Sequence, residues 1–472
     1  VRRALPGLAF LLFASGCAVG PAYRRPDAKV PAGFKEPPPE DWKKAEPKDG
    51  APRGEWWSVF GDPALDLLMK EVATSNQSVA QAEAQFRAAR AVARGARANL
   101  FPELDGSVSA GRGATRGATS TTITIPSLDA SWEADLFGRI RRDVEANAAA
   151  AQASAADLAS VRLAMQAELA SDWFQLRGLD AQHQLLTAAA DSYDKALTLT
   201  TNRHDQGIVS GVDVAQAQTQ LETTRAQATD VLAQRQQLEH AIAVLAGKPP
   251  AELTIPLSPL SGPPPEVPLA LPSELLERRP DIAGAERRVA AANARVGVAV
   301  AGFFPRLLLS ASGGFTAGKL VGLFSVPNRF WSIGATALET IFDAGKRRAG
   351  VEEARANYDA AVAVYRQSVL GALQETEDGL VALRIYGDEA GQLARAVAAA
   401  EHALELARTR YEGGITTYLE VITAENAALT NERAAILLLT RRMTATVDLV
   451  RALGGGFREA DLPSPLLSPS RP

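Results

Sequence analysis

One residue of this chain is placed for covalent chemistry. Cys17 is its only cysteine. It closes the run Ala14-Ser15-Gly16-Cys17, behind Arg2, Arg3 and an apolar stretch from Ala4 to Ala14. That stretch is too short to span a bilayer as a helix. A basic start, an apolar middle and a small-residue site predict a secretory signal over 1–16 that ends in a lipoprotein cleavage box. The Cys17 thiol would then take the lipid and become the first residue of the mature chain. An ordinary signal beside a chance cysteine is the competing reading. Ala18 follows the cysteine where Asp would favour retention in the inner membrane, so the outer membrane is the expected destination. Other chemistry finds few residues. The four histidines, His183, His204, His240 and His402, lie in helical stretches at no metal-ligand spacing, so no metal and no cofactor beyond the covalent lipid is expected. There is no GxSxG, HExxH, P-loop or CxxC, and an enzyme is not expected. A net charge of −4 gives no signal for nucleic acid.

Beyond residue 61 the elements come in two copies. Ala82-Glu83, Pro102, Phe137-Gly138, Arg203, Gly207 and Leu245-Ala246-Gly247 recur as Ala285-Glu286, Pro305, Phe342 with Gly345, Arg410, Gly414 and Leu453-Gly454-Gly455. The offset is 203 residues from Glu83 to Glu286, 205 from Phe137 to Phe342 and 207 from Gly207 to Gly414. It drifts only where loops are expected, so the duplication is architectural. The chain divides into the signal 1–16, a Pro-rich lipid-anchored tether 17–61, repeat 1 over 62–247, a Pro-rich linker 248–272, repeat 2 over 273–455 and a flexible tail 456–472.

Each repeat reads as a helix, a strand pair, a very long helix, a tip turn and a return helix. Asp62-Pro63 is a capped helix start, and one helix is expected from there to about Leu100. Strand pairs are expected at 103–134 and 306–342. The first alternates through Leu104, Gly106, Val108 and Ala110, then through Ile123, Ile125, Leu128, Ala130 and Trp132 with a slip at Pro126. Each run is long enough to cross a bilayer when tilted; surface hairpins would look the same. Proline-free helices follow, from about Arg139 to Arg203 and from Lys346 to Tyr411, rods of ~100 Å at 1.5 Å per residue. The return helices carry seams of small residues at three–four spacing, such as Val214, Ala217, Leu221, Thr224 and Val421, Ala424, Ala428. Arg235 and Arg442 fall in those seams and are expected to keep their charged heads in solvent. Gly207 and Gly414 should supply the positive φ of the tip turns. Arg203 and Arg410, just before them, are expected to donate to helix-end carbonyls. Four strands leave two open edges, so membrane strands would require several copies to close a barrel.

At this point the chain resembles the outer membrane efflux proteins, TolC-like, in their NodT/OprM-type lipoprotein branch. The marks are Cys17 with Gly20-Pro21-Ala22-Tyr23 and Pro26, Trp56-Trp57 with Asp62-Pro63, and the runs at 132–142, 275–282 and 410–421. The fold class implied is mainly α with a membrane β-barrel part. A long helical coiled-coil barrel would continue a trimeric barrel of twelve strands, four per chain. The partners implied are two further copies, a periplasmic adaptor of the membrane-fusion type, an inner-membrane RND-type transporter and outer-membrane lipid. The tip turns, Gly207 and Gly414 with Arg203 and Arg410, would meet the adaptor. Leu419, Glu420 and Thr423 would line the periplasmic aperture, Leu419 as an apolar ring and Glu420 as an acidic, cation-selecting one. Thr423 stands where relatives commonly have Asp, and Thr416 where some have a latching Arg. Tyr411 and Asp213 match a Tyr–Asp latch between neighbouring hairpins. Glu420 and Asp213 as ordinary helix-start carboxylates is the alternative. For the whole chain the alternatives are an outer-membrane duct for type I protein secretion and a periplasmic coiled-coil scaffold lipoprotein.

Overall fold

Equal lengths in the two halves fix the architecture. A computed structural model describes residues 18–36, 55–114, 120–265, 278–457 and 462–463; the signal and Cys17 lie outside them. Helices α1 (Pro63–Ser75) and α2 (Gln77–Ala98) lead into strands β1 (Glu103–Gly113) and β2 (Thr121–Ala134). The rod α3 (Arg139–Asp205) and return helix α4 (Gly211–Leu245) complete the first half. The second half is α5 (Pro280–Ala301), β3 (Arg306–Phe315), β4 (Arg329–Leu338), the rod α6 (Lys346–Glu412) and the return helix α7 (Tyr418–Ala452). The rods have 67 residues each, the return helices 35 and the leading helices α2 and α5 22, so the repeat is metric as well as sequential.

Return and leading helices meet end to end beside each rod. In the first half, the Asn76 side-chain amide donates to Leu245 O at 2.8 Å. In the second, Arg279 Nη1 donates to Ala452 O at 2.9 Å. Each half thus presents two rod positions, one continuous and one stacked from two pieces. Helix N-termini are secured locally. Asp62 accepts from Ala64 N and Leu65 N and also takes the Trp173 indole N–H at 2.8 Å. Asp135 accepts from the amides of Ile140 and Arg141 at the start of α3, while Asp343 accepts from Gly345 and Arg347 at the start of α6. The main apolar core sits beside this junction. There Trp56, Leu65, Met69, Leu169, Trp173, Leu176, Ile242, Leu380, Val447 and Leu449 pack together.

Four expectations need correction. The helix expected over 62 to about 100 is broken: Asn76 turns extended (φ −66°, ψ 127°), ends α1, and caps α2 by accepting from Ser78 N and Val79 N. Strand β2 runs through Pro126 without a slip, pairing Val108↔Pro126 in unbroken register, so Ile123 and Ile125 lie on the opposite face from Leu128. The described part of the tether, 18–36, is a strap pinned along the helices: Tyr23 donates to the buried Glu286, Arg366 reaches Asp27 O, and the amides of Lys35 and Glu36 donate to Glu377. Arg235 is only 6% exposed, head included. Its Nε donates to Asp180 at 2.6 Å, its other nitrogens meet Glu239 and Ile255 O, and Arg177 and Ser258 N complete the Asp180 carboxylate. At Arg235 two facing helices leave no path to water for the head group in mid-seam, so the head takes a carboxylate instead. Arg442 is only partly buried and takes no carboxylate among the described residues, with its Nε buried and unpartnered.

Arg235→Met should therefore cost about 3 kcal/mol, since it strips a buried carboxylate of its main counter-charge. Asp180→Asn in the same chain should recover part of the loss. Thermal unfolding in detergent, followed by far-UV circular dichroism, reads both; an unchanged midpoint for the single variant would refute it.

Candidate functional site

The strands form one antiparallel sheet in the order β1-β2-β3-β4. The register sorts its residues by face. Leu104, Val108, Leu128, Ala130, Trp132, Leu307, Leu309, Ala311, Trp331, Ile333, Ala335 and Ala337 share one side. Ser107, Ser127, Asp129, Ser310, Ser312 and Ser332 share the other. On the polar side hydroxyls chain together: Ser107 Oγ lies 2.9 Å from Ser127 Oγ, which donates to Asp129, and Ser312 Oγ donates to Asp129 from the next strand. The apolar side is bare, with Val108, Trp331 and Ile333 all about three-quarters exposed. An apolar face beside a polar one is the pattern of a sheet between lipid and a wet lumen. No helix among the described residues is long and apolar enough to cross a membrane. Strands β1 and β4 are both edges, with half their backbone groups unpaired by the sheet.

At the foot of the sheet, Phe137 stacks on Phe304 with ring centroids 4.8 Å apart. Their repeat equivalents, Phe342 and Phe101, are 85% and 64% exposed. The strap arrives at the same level. Val19 N donates to Phe137 O, Arg142 donates to Val19 O, and a Cβ on Gly138 would meet Ala18 at 2.7 Å. The residue after Cys17 is thus held at the strand–rod junction.

At the other end of the rods, Gly207 and Gly414 take φ of +73° and +70°. Each tip turn closes with the same bond, Ile208 N to Arg203 O and Ile415 N to Arg410 O, both 2.9 Å. The two arginines then diverge. Arg203 grips the end of the other half's rod, donating to Tyr411 O and Glu412 O at 3.0 and 3.1 Å with its guanidinium over the Tyr411 ring. Arg410 faces Glu420 at 3.7 Å, both half exposed; such a pair contributes ~1 kcal/mol or less. Tyr411 packs on Tyr418 at 5.3 Å between centroids. Asp213 closes a capping box, its carboxylate accepting from the Ser210 amide and hydroxyl. No hydrogen bond joins it to Tyr411 among the described residues. Leu419 is exposed, the Thr423 hydroxyl donates back to Leu419 O, and the Thr416 hydroxyl is buried without a partner.

The sequence reading missed Glu425. It lies four residues after Val421 on the packed stripe of α7 and is 2% exposed. Arg408 Nη2 of α6 donates both to Glu425 at 3.1 Å and to Ser192 Oγ of α3 at 2.8 Å, so the cluster ties the two hairpins together. The charge of Glu425 bears in turn on the Tyr193 and Tyr418 hydroxyls. Glu425 Oε2 and the Tyr418 hydroxyl are buried without partners. Burial pushes the Glu425 carboxyl above the ordinary 4.5, against the opposing pull of Arg408. A raised folded-state value means that the native chain holds this proton more tightly than the unfolded one. The resulting stability is complete below pH 4.5 and is lost as pH rises through the folded value. Glu425→Gln should therefore melt above the parent at neutral pH, with the gap closing below about pH 4.5. Melting curves between pH 4 and 8 test this, and a gap independent of pH would contradict it.

The chain is similar to known outer-membrane proteins over nearly its whole length. The chain is 32% identical to outer membrane protein OprJ of Pseudomonas aeruginosa, over 97% of its length and 98% of the relative's. It is 33% identical to the solvent efflux pump outer membrane protein SrpC of Pseudomonas putida, over 96% and 98%. Among solved structures, the outer-membrane channel OprN superposes with a TM-score of 0.83 at 35% identity, covering 93% of this chain and 99% of that one. A single family model, the outer membrane efflux protein, matches twice, at residues 68–248 and 271–455. Both halves of the duplication answer to the same model, and the chain belongs to the outer membrane efflux protein family.

Proposed function

We propose that three copies of this chain close one barrel and one helical tube, the exit duct of a tripartite efflux system. Cargo would reach the duct from an inner-membrane RND-type transporter through a periplasmic adaptor docked at the tips. The chain itself is an outer-membrane efflux channel, as its family is. The observation that carries the closed duct is the sheet, with one apolar face, one hydroxyl-lined face and two free edges. In hydrocarbon those edges are untenable until another strand covers them. A coiled-coil scaffold would account for the rods and not for such a sheet. The strap supports the membrane level. It holds Ala18 at the foot of the strands, so a lipid on Cys17 would enter the leaflet that the sheet enters. Fixed dipoles and side chains in such a conduit do no covalent chemistry. They set its bore and its charge. At the tips, Leu419 is exposed and Glu420 has only a loose partner, which leaves both free to face an aperture.

Purified in mild detergent, the protein should run as a trimer and give discrete conductance steps in planar bilayers; a monomer without conductance would overturn the reading. Glu420→Ala should lower the cation-to-anion permeability ratio severalfold, because it removes one carboxylate per copy from a narrow ring. An unchanged reversal potential in a salt gradient would remove Glu420 from the aperture and leave the duct intact.

A further inference from the structure

We propose that the groove between the two rods, on the bore side of α5, is a resting site for organic anions, in which Arg295 holds the carboxylate or sulfonate of a ligand whose apolar body lies on alanines. The proposal rests on the duct reading above and names the class of molecule that this stretch of its wall binds. The groove has a volume of ≈ 760 Å³ and is lined by α3, α5 and α6. Ala150 and Ala153 of α3, Ala291 and Ala292 of α5 and Ala354 of α6 supply its apolar surface. Four charged residues also line it: Arg288 and Arg295 of α5, Asp157 of α3 and Glu353 of α6.

The direction of the groove follows from the strap. On α5, Glu286 accepts from Tyr23, Asn293 donates to Pro21 O, and a Cβ on Gly20 would meet Gly297. At about 100° per residue, Arg288, Ala291 and Arg295 fall on the opposite side of that helix. The strap carries the residue after Cys17, and a lipid there must enter the leaflet outside the barrel wall. The strap side is then the outside of the tube, and the groove faces the bore. The charges sort themselves next. Arg288 donates to Asp157, so that pair is closed. Arg295, seven residues and ~10 Å further along the helix, is exposed and has no hydrogen bond or ion pair among the described residues. The repeat shows that packing does not require it. Helices α2 and α5 have equal lengths and start at Gln77 and Pro280, so Gln85 and Val92 stand where Arg288 and Arg295 do. A guanidinium offers a carboxylate or sulfonate two parallel N–H donors, and it is weakly hydrated enough to do so beside apolar surface. Glu353 repels any second anionic group in the same groove, so the fitting ligand has one anionic head on an apolar body.

Asn357, exposed on the α6 wall of the groove, is the reporter position. In the full chain purified in mild detergent, naphthalenesulfonate should slow the labelling of Asn357→Cys by methyl methanethiosulfonate severalfold, with the parent chain as the blank for Cys17. Naphthylmethylammonium at the same concentration should not slow it. Adding Arg295→Gln should abolish the protection, whereas Arg366→Gln, on the strap side of α6, should leave it intact. Equal protection by both probes, or protection that survives Arg295→Gln, overturns the anion site. Should Arg295→Gln fail to assemble, salt gives a second measure on Asn357→Cys alone. Protection should fall as sodium chloride rises from about 0.05 to about 0.5 M, and protection indifferent to salt would refute the ion pair. In planar bilayers, labelling Asn357→Cys with a sulfonate-bearing methanethiosulfonate should change the single-channel conductance. Protection as expected with an unchanged conductance would leave the anion site standing and overturn its place in the bore.

Discussion

Unpaired backbone at two sheet edges is the constraint from which the rest of the molecule follows. Each free N–H or C=O in hydrocarbon costs several kcal/mol, and β1 and β4 both present rows of them. In the proposed barrel the sheet closes on copies of itself, and closure is demanding on lengths. A ring of strands stays level only if every rod beneath it has the same reach. The matching 67-residue rods and 35-residue return helices of the two halves meet that demand. Where the halves differ, they differ in loops. The start of α3 is held by Asp135, before Phe137, and the start of α6 by Asp343, after Phe342. The two extra residues of the second half therefore change where the capping carboxylate comes from and leave the rod in place.

The rods are held by close packing of small residues with a few large anchors and by polar groups set at intervals. Ala217, Leu221, Val231 and Ile242 pack along α4 as the seam spacing requires. Between them the Arg235–Asp180–Glu239 cluster ties α4 to α3, and through Ile255 O it ties down the segment after α4 as well. A slick of alanine alone would let helices slide. Buried charges that fit only one partner set the axial register, at the expense of stability that better-packed apolar residues would provide.

Much of this was legible in the sequence, and what was not has a common cause. The duplication, the strand pairs, the uninterrupted rods and the glycine turns are local signals of spacing, and each was read from residues such as Gly207, Gly414 and Pro305. The break at Asn76 escaped because Asn followed by Gln and Ser has no strong breaker; the partner that fixes it, Leu245 O, lies 169 positions away. The buried head of Arg235 depends on Asp180, 55 residues upstream on another helix. The strap read only as an extended tether because proline gives extension but says nothing about Glu286 or Glu377, which hold it. Glu425 hid among the many acids of α7, although its place four residues after Val421 marked the buried stripe. At the tips, spacing located Arg203 and Arg410 equally and gave no hint that only one would reach across to the other hairpin.

That divergence has a mechanical consequence. Arg203 on Tyr411 and Glu412, and Arg408 on Ser192 and Glu425, fasten the two hairpins of one chain to each other. In the proposed ring of three chains these joints would alternate with joints between separate molecules. Each chain would then move as one stiff leaf, a pair of hairpins fastened to each other.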